Sequence, residues 1–316
     1  MSTSLNHLAF VFPGQGSQAV GMLDAWGDHP AVRETLTEAS DALGEDIAKL
    51  IAEGPKESLD LTTNTQPVML MAGVACWRAW LAETGLMPAA VAGHSLGEYT
   101  ALVAAGALTL KDALPLVRFR AQAMQEAVPV GVGGMAAILG LEADGVKAGC
   151  AQAAAESGQA VEAVNFNDPK QTVIAGSKAG VEKACEVLKA AGAKRALSLP
   201  VSAPFHSSLM KPAAERLREK LAATAFAAPQ IAVVNNIDVA VVTDVDAIRD
   251  ALYRQAFGPV RWVETIQALK ARGLTHVIEC GPGKVLSGMV KRIDPELTSA
   301  TVYDPASLTE ARALLA

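Results

Sequence analysis

The sequence is poor in aromatic and charged residues. Phe, Trp and Tyr make up 4% of the 316 residues and charged side chains 19%, whereas 51% are hydrophobic. We therefore expect a core built mostly from Ala, Val and Leu, and the composition excludes a disordered chain. The net charge of −6 and the lack of a basic run argue against nucleic-acid binding.

Cysteine is also scarce. The four cysteines are Cys76, Cys150, Cys185 and Cys280, and no two of them form a C-x-x-C pair. The sequence therefore predicts buried, reduced thiols and no disulfide framework. The five histidines show no ligand spacing either, so we expect no metal site.

Hydrophobic runs are too short to cross a bilayer. The longest, near 68–77 and 101–110, fall well short of the ~20 residues that a spanning helix needs. The start of the chain is polar and lacks the pattern of a signal peptide. We expect a cytoplasmic protein without membrane contact. We also expect a monomer, because no heptad or exposed-edge signal stands out.

The most informative segment that is present is Gly93-His94-Ser95-Leu96-Gly97. It follows a short strand predicted at 89–92, with Pro88 as its breaker, and it precedes a stretch of helical spacing. The G-x-S-x-G pattern is typical of a nucleophile elbow, a sharp strand-to-helix turn that presents a serine hydroxyl. A plain βα turn is the alternative interpretation.

The remaining pattern predicts an α/β fold in two parts. A long apolar helix is predicted at 66–81, beginning near Pro67, and 129–134 looks like a hinge. The order between 130 and 199 is β-α-β-β-α-β, as in ferredoxin-like units. We predict an α/β-hydrolase-like large domain, 1–129 and 200–316, that carries an inserted ferredoxin-like subdomain, 130–199.

A nucleophilic serine needs a base within hydrogen-bond reach. His206 follows Pro204 where the chain returns from the insert, in a loop positioned to reach the elbow. His94 adjoins the serine, but successive side chains point in different directions, which favours a structural role. From these residues alone, the assignment of His206 as the base stays open.

Five segments together carry a family resemblance. They are Gly14-Gln15-Gly16-Ser17-Gln18, the elbow with Glu98, Arg120, Pro204–His206 and Gly281-Pro282-Gly283. In this order they resemble the malonyl-CoA:acyl carrier protein transacylases, which supply malonyl units to bacterial fatty-acid synthesis. The resemblance extends from about residue 8 to about residue 293.

The resemblance implies roles for the catalytic groups. Ser95 would be the nucleophile that forms an acyl ester, and His206 the base that takes its proton. The backbone N–H groups of Gln15 and Leu96 would form the oxyanion hole, as befits donors near a helix N-terminus. The backbone carbonyl of Gln255 would orient His206 in place of a triad acid.

The resemblance also implies a binding site for the substrate. Arg120 would clamp the free carboxylate of the malonyl group, since a guanidinium matches a carboxylate with two parallel donors. Phe205 would limit the pocket volume and disfavour a branched malonyl. Asn165 and Asn167, at the end of a strand of the insert, would face the acyl-CoA, with a role as turn residues as the alternative.

An acidic carrier protein would need a local basic patch on this acidic chain. Lys183, Lys189, Lys194 and Arg195 on one side of the insert are candidates for contacts with the carrier or with CoA phosphates. A solvated helix face is the alternative interpretation of these residues.

The implied function is a ping-pong acyltransferase of fatty-acid biosynthesis, with malonyl-CoA and acyl carrier protein as partners. The CoA thioester is a substrate, and no cofactor is implied. Three alternatives remain at this point: a polyketide-type or methylmalonyl-selective acyltransferase, a serine esterase or thioesterase, and a catalytically silent scaffold.

Overall fold

The computed structural model describes residues 3–201 and 203–315. The strands are β1 Thr3–Phe12, β2 Leu86–Gly93, β3 Gly133–Leu139, β4 Val161–Asp168, β5 Gln171–Ser177, β6 Arg195–Ser198, β7 Ala232–Val234, β8 His276–Cys280 and β9 Thr298–Val302. The α-helices are α1 Pro30–Leu43, α2 Ile47–Glu53, α3 Lys56–Leu59, α4 Thr62–Thr84, α5 Gly97–Ala104, α6 Leu110–Glu126, α7 Ala143–Ser157, α8 Lys178–Ala190, α9 Lys211–Ala223, α10 Val245–Gln255, α11 Trp262–Ala271, α12 Val285–Ile293 and α13 Pro305–Ala313.

A parallel sheet of order β7-β2-β1-β8-β9 forms the centre of the larger part. Its central strands are nearly continuous apolar runs, as expected where helices cover both faces. Parallel strands all end at the same edge, and ligands of open α/β sheets bind outside that edge. The segments after β1, β2, β7 and β8 therefore lie together at one edge of the sheet.

Helix α4 is buried on nearly all sides, which is why its sequence is apolar all round rather than amphipathic. It packs against α1, α5 and α6 and, through Trp77 and Trp80, edge-on against Phe10 of β1. The predicted start at Pro67 was wrong, because Pro67 lies inside the helix, which begins at Thr62.

Pro88 was also misjudged as a breaker, since it lies inside β2 and pairs with Leu5 of β1. The register of β1 against β2 shifts between Leu5 and Ala9, beside that pair. A proline without an N–H is tolerated at such an irregularity in the ladder.

A separate antiparallel sheet of order β4-β5-β3-β6 is covered by α7 and α8. It has its own hydrophobic cluster, which includes Ile138, Val146, Ile174, Val181 and Leu188. The chain is therefore an α/β protein with a mainly parallel sheet and a separate antiparallel one.

The two sheets are connected at the edge strand β4. The Phe166 N–H donates to the Val260 carbonyl at 3.0 Å, and the Val260 N–H donates to the Val164 carbonyl at 2.8 Å. Val260 lies two residues before α11, and the next residue, Arg261, donates its N–H to the carbonyl of Asn236 after β7, so these bonds hold the end of β4 close to the carboxyl edge of the parallel sheet. Within the described ranges, no helix has the length and apolar character needed to cross a membrane.

The contact between β1 and α5 gives a first prediction. A Cβ on Gly97 would lie 2.0 Å from the Phe12 carbonyl oxygen, so Gly97→Ala requires a backbone shift. We expect it to lower the free energy of unfolding by about 3 kcal/mol or more, measured by urea unfolding.

Gly145→Ala is the matched control for this substitution. Gly145 lies in α7 with no neighbour within 4 Å of an added Cβ, so alanine should add about 0.5–1 kcal/mol of stability. A Gly97→Ala protein as stable as Gly145→Ala would contradict the close contact.

Candidate active site

Ser95 lies in a tight turn between β2 and α5, with a φ of 53° that non-glycine residues rarely adopt. A Cβ on Gly93 would lie 1.9 Å from the carbonyl carbon of Gly97, so only glycine fits there. The Gly97 N–H closes the turn by donating to the His94 carbonyl at 2.9 Å. This geometry is that of a nucleophile elbow.

Asn236, in the segment after β7, is hydrogen-bonded to the elbow on both sides of His94. Its Oδ1 accepts from the Ser95 N–H at 2.8 Å, and its Nδ2 donates to the Gly93 carbonyl at 2.7 Å. The side chain is fully buried, so these bonds are not shared with solvent. Sequence reasoning missed this residue, although a polar pair after an apolar strand, Asn235-Asn236, is a signal for the carboxyl edge of a sheet.

His206 is within hydrogen-bond distance of Ser95. The separation of Ser95 Oγ from His206 Nε2 is 2.7 Å, and that of His206 Nδ1 from the Gln255 carbonyl oxygen is 2.9 Å. Because a carbonyl only accepts, Nδ1 carries the proton and Nε2 is left to accept from the Ser95 hydroxyl. Burial, and next the charge of Arg120, lower the pKa of His206 to about 3, so the ring is neutral at pH 7.

Arg120 is a buried arginine beside the serine. Its Nη2 donates to Ser95 Oγ at 3.2 Å and to Gln255 Oε1 at 3.1 Å, and its Nη1 donates to Gln66 Oε1 at 2.8 Å. Burial lowers its pKa, yet a guanidinium stays charged at neutral pH. Its partners are hydroxyl and amide oxygens, so these bonds leave the positive charge without a paired carboxylate.

Glu98 lies one helical turn after Ser95 and is also buried. Its Oε2 accepts from the Asn236 N–H at 2.9 Å and from Gln255 Nε2 at 3.0 Å. Burial raises the pKa of this carboxyl to about 7. The sequence motif that contains Glu98 predicted no role for this carboxyl, and no pattern indicated Gln66.

The loop after β1 lies against the elbow. A Cβ on Gly14 would lie 2.7 Å from the His94 carbonyl oxygen, and the His94 N–H donates to the Phe12 carbonyl at 3.0 Å. Gln15 is exposed in this loop, and its Oε1 accepts from Gln66 Nε2 at 3.4 Å. Leu96, by contrast, is buried at the start of α5.

The remaining candidates differ in their surroundings. Phe205 is buried and packs in the main core beside His206. Asn167 is buried too, and its Oδ1 accepts from His94 Nε2 at 2.8 Å, so in this structure it joins β4 to the elbow. Asn165 is half-buried and forms an isolated parallel bridge with Val260, and its Oδ1 lacks a partner among the described residues.

The basic residues predicted to contact the carrier or CoA lie on α8 and near β6, away from the buried residues around Ser95. Lys189 is in the last turn of α8, Lys194 directly precedes β6, and Arg195 is its first residue; all three are exposed. Lys183 is paired with Glu156 at 2.8 Å. Among residues 3–201 and 203–315, no three His, Cys, Asp or Glu side chains are grouped so that they could hold a metal ion.

Comparison with known proteins agrees with this geometry. The acyl transferase domain family matches residues 9–302, and the chain belongs to that family. A serine with a histidine partner within hydrogen-bond distance is an arrangement that supports acyl transfer.

Two curated relatives confirm the predicted resemblance, and the chain belongs to the malonyl-CoA:acyl carrier protein transacylases within that family. The malonyl CoA-acyl carrier protein transacylase of Salmonella typhimurium is 53% identical over 308 residues, covering 97% of this chain and 99% of the relative. The protein of the same name from Bacillus subtilis is 46% identical over 305 residues, covering 96% of each chain.

Two solved structures are similar over almost the whole chain. An acyl-carrier-protein S-malonyltransferase from Burkholderia pseudomallei has 70% identity and a TM-score of 0.95, covering 96% of this chain and 98% of its own. A complex of a type II PKS acyl-carrier protein with its malonyl-transacylase has 50% identity and a TM-score of 0.94, with the same coverage.

The low pKa of His206 predicts a loss of stability in acid. The ordinary pKa is 6.5 and the folded one about 3, so the unfolded chain takes up a proton below pH 6.5 and the folded protein does not. The stability linked to neutral His206 is therefore present above that pH and is lost as the pH falls.

The test compares the wild type with His206→Asn by urea unfolding at matched pH. We expect the free energy of unfolding of the wild type to fall relative to the variant by up to about 1.4 kcal/mol per pH unit below pH 6. A difference that stays constant down to pH 4 would show that the imidazole is not held neutral.

Proposed function

We propose that this chain transfers a malonyl group from malonyl-CoA to the phosphopantetheine thiol of acyl carrier protein through an ester on Ser95, in fatty-acid biosynthesis. Membership of the acyl transferase family and the shared name of the relatives support the activity. The mechanism is supported above all by the hydrogen bonds that connect Ser95 through His206 to the Gln255 carbonyl, with Arg120 beside Ser95.

The first half-reaction forms the acyl ester. Ser95 Oγ attacks the thioester carbonyl carbon while its proton passes to His206 Nε2. The C–S bond then breaks, and the CoA sulfur leaves with the proton from His206. The Gln255 carbonyl stabilises the imidazolium that forms in between, so the site needs no carboxylate at Nδ1.

The oxyanion hole is assigned to the backbone N–H groups of Gln15 and Leu96. Leu96 is the N-cap residue of α5, where the helix dipole favours negative charge. The packing of Gly14 against the His94 carbonyl supports the placement of the Gln15 loop opposite that N–H. Such donors stabilise the tetrahedral intermediate by about 3–4 kcal/mol each.

Arg120 selects the acyl group. Its present partners are neutral oxygens of Gln66, Gln255 and Ser95, so no carboxylate of the protein competes with the substrate, whose carboxylate forms a stronger bond between two charged groups. The buried charge is otherwise costly to keep out of water, so binding of the malonyl carboxylate relieves that cost. An acyl group without a carboxylate gains none of this energy.

The second half-reaction returns the acyl group to sulfur. The carrier thiol gives its proton to His206 and attacks the ester carbonyl, and Ser95 Oγ takes the proton back as it leaves. Water must be kept from the ester for transfer to exceed hydrolysis. The shared name of the relatives favours transfer over a thioesterase activity. The thiol of a polyketide carrier protein could accept the malonyl group by the same chemistry.

We also propose a finer description of the fold and a docking surface for the carrier. The strand order β4-β5-β3-β6 supports a ferredoxin-like subdomain at 130–199, and the elbow supports an α/β-hydrolase-like body of 1–129 and 200–316. Exposed Lys189, Lys194 and Arg195 are proposed for carrier or CoA contacts. We propose a cytoplasmic monomer that needs no cofactor.

Phe205, Asn165 and Asn167 are proposed to contact or shape the substrate site because of where they lie in the fold. Phe205 lies next to the base and restricts the volume beside it. Asn165 is proposed to face the acyl-CoA because it lies near the end of β4, while Asn167 acts through its hydrogen bond with His94.

Removal of Arg120 should change selectivity. We expect Arg120→Ala to slow acylation by malonyl-CoA about 100-fold, because two charge-assisted hydrogen bonds to the substrate carboxylate are lost. Acylation by acetyl-CoA, which has no such carboxylate, should slow much less. Single-turnover acylation followed by intact mass measures both rates.

Arg118→Ala is the matched control on the same helix. Arg118 is paired with Glu45 at 2.8 Å on the surface of α6, so its removal should leave both rates unchanged. Equal slowing of malonyl and acetyl transfer in Arg120→Ala would contradict the clamp.

The requirement for a carrier separates transfer from hydrolysis. With malonyl-CoA alone, we expect CoA release to stop near one equivalent per enzyme. Holo acyl carrier protein should sustain it, and the apo carrier, which lacks the thiol, should not. Continuous release of CoA and free malonate without a carrier, measured by chromatography, would identify a hydrolase instead.

A further inference from the structure

A buried carboxyl lies directly beneath the elbow and takes no part in the chemistry above. Glu98 is 2% exposed, in the first turn of α5. Its contacts run to two distant segments, the residues after β7 and the end of α10. Each of these segments supplies a group that holds the reacting residues.

The first of these segments reaches Ser95. Glu98 Oε2 accepts from the backbone N–H of Asn236, whose side chain bonds to the Ser95 N–H and the Gly93 carbonyl. The position of this asparagine sets the position of the nucleophile. Glu98 is therefore linked to Ser95 in two ways: along the chain, since they are three residues apart, and through Asn236.

The second segment reaches both His206 and Arg120. Gln255 Nε2 donates to Glu98 Oε2 at 3.0 Å and to the Ser95 carbonyl at 2.9 Å. Its Oε1 accepts from Arg120 Nη2, and its backbone carbonyl accepts from His206 Nδ1. One residue thus contacts the serine, the base and the guanidinium.

The orientation of the Gln255 amide depends on the two acceptors on its Nε2 side. If the amide were flipped, its oxygen would face the Glu98 and Ser95 oxygens, and its NH₂ would face the guanidinium of Arg120. Both contacts would be repulsive. Because Glu98 supplies one of these acceptors, it helps to fix the amide oxygen that holds Arg120.

We infer that Glu98 is a positioning residue for acyl transfer: by accepting from Asn236 and Gln255 at one oxygen, it aligns Ser95 and fixes the Arg120 guanidinium in the orientation that receives the substrate carboxylate. This inference rests on the proposed function. Glu98 is needed as an acceptor rather than as a charge, because both bonds converge on a single oxygen.

The variants Glu98→Ala and Glu98→Gln separate these roles. Alanine removes the acceptor, and we expect malonyl acylation to fall about 100-fold through misplaced reacting groups, with the malonyl-to-acetyl ratio falling about 10-fold. Glutamine keeps one oxygen that accepts both bonds, so its rate and ratio should stay within about threefold of the wild type.

Glu279→Ala is the matched control for the loss of a buried carboxyl. Glu279 is fully buried and accepts from the Ser287 N–H at 2.7 Å, at the start of α12. Its removal should lower stability without changing the malonyl-to-acetyl ratio. If Glu98→Ala does not fold, Gln255→Ala tests the same link, because it removes the amide and keeps the backbone carbonyl, and it should lower the ratio.

The outcomes are distinct. A folded Glu98→Ala protein with the wild-type malonyl-to-acetyl ratio overturns the inference. If Glu98→Ala does not fold, a Gln255→Ala protein with the wild-type ratio overturns it. A Glu98→Gln protein as impaired as Glu98→Ala overturns the acceptor role. If the wild type itself forms no malonyl ester, the proposed function fails, and this inference fails with it.

Discussion

The close contact between the elbow and the end of β1 is the constraint on which the site depends. Gly97 lies so near the Phe12 carbonyl that no side chain fits between them, and Gly93 lies equally near Gly97. This contact places Ser95 at the carboxyl edge of the sheet with a left-handed backbone. The loop of Gln15 reaches the same point because β1 is the neighbouring parallel strand.

Burial determines the electrostatics of the site. A histidine, an arginine and a glutamate lie together with almost no solvent contact, and the structure connects them through neutral amides rather than through direct ion pairs. This arrangement keeps His206 neutral, and so able to accept a proton, while the charge of Arg120 stays available to a carboxylate. A carboxylate paired with Arg120 would defeat that second property.

Much of the site could be predicted from the sequence because it lies in short motifs. The elbow, the histidine after the insert and the Arg120 position all depend on local patterns or on a family resemblance, and the structure brings them together. Their assigned roles remain predictions that the variants above test. The antiparallel unit was predictable as well, since its strands and helices follow one another closely along the chain.

The contacts that hold the site could not be predicted in the same way. Asn236 lies 141 residues from Ser95 in sequence, and Gln255 lies 157 residues from Glu98. No local pattern encodes which buried amide meets which carboxyl, because tertiary packing decides it. The errors at Pro67 and Pro88 have the same origin: a proline disfavours helix or strand locally, but packing of α4 and a register shift in β1 override that preference.

The most direct test of the central claim is intact-mass analysis after brief mixing with malonyl-CoA, followed by peptide mapping. The account predicts a single malonyl adduct on Ser95 that persists when the protein is alone and disappears when holo acyl carrier protein is added, with the malonyl group then on the carrier. An adduct on another residue, or none in a folded protein, would contradict it.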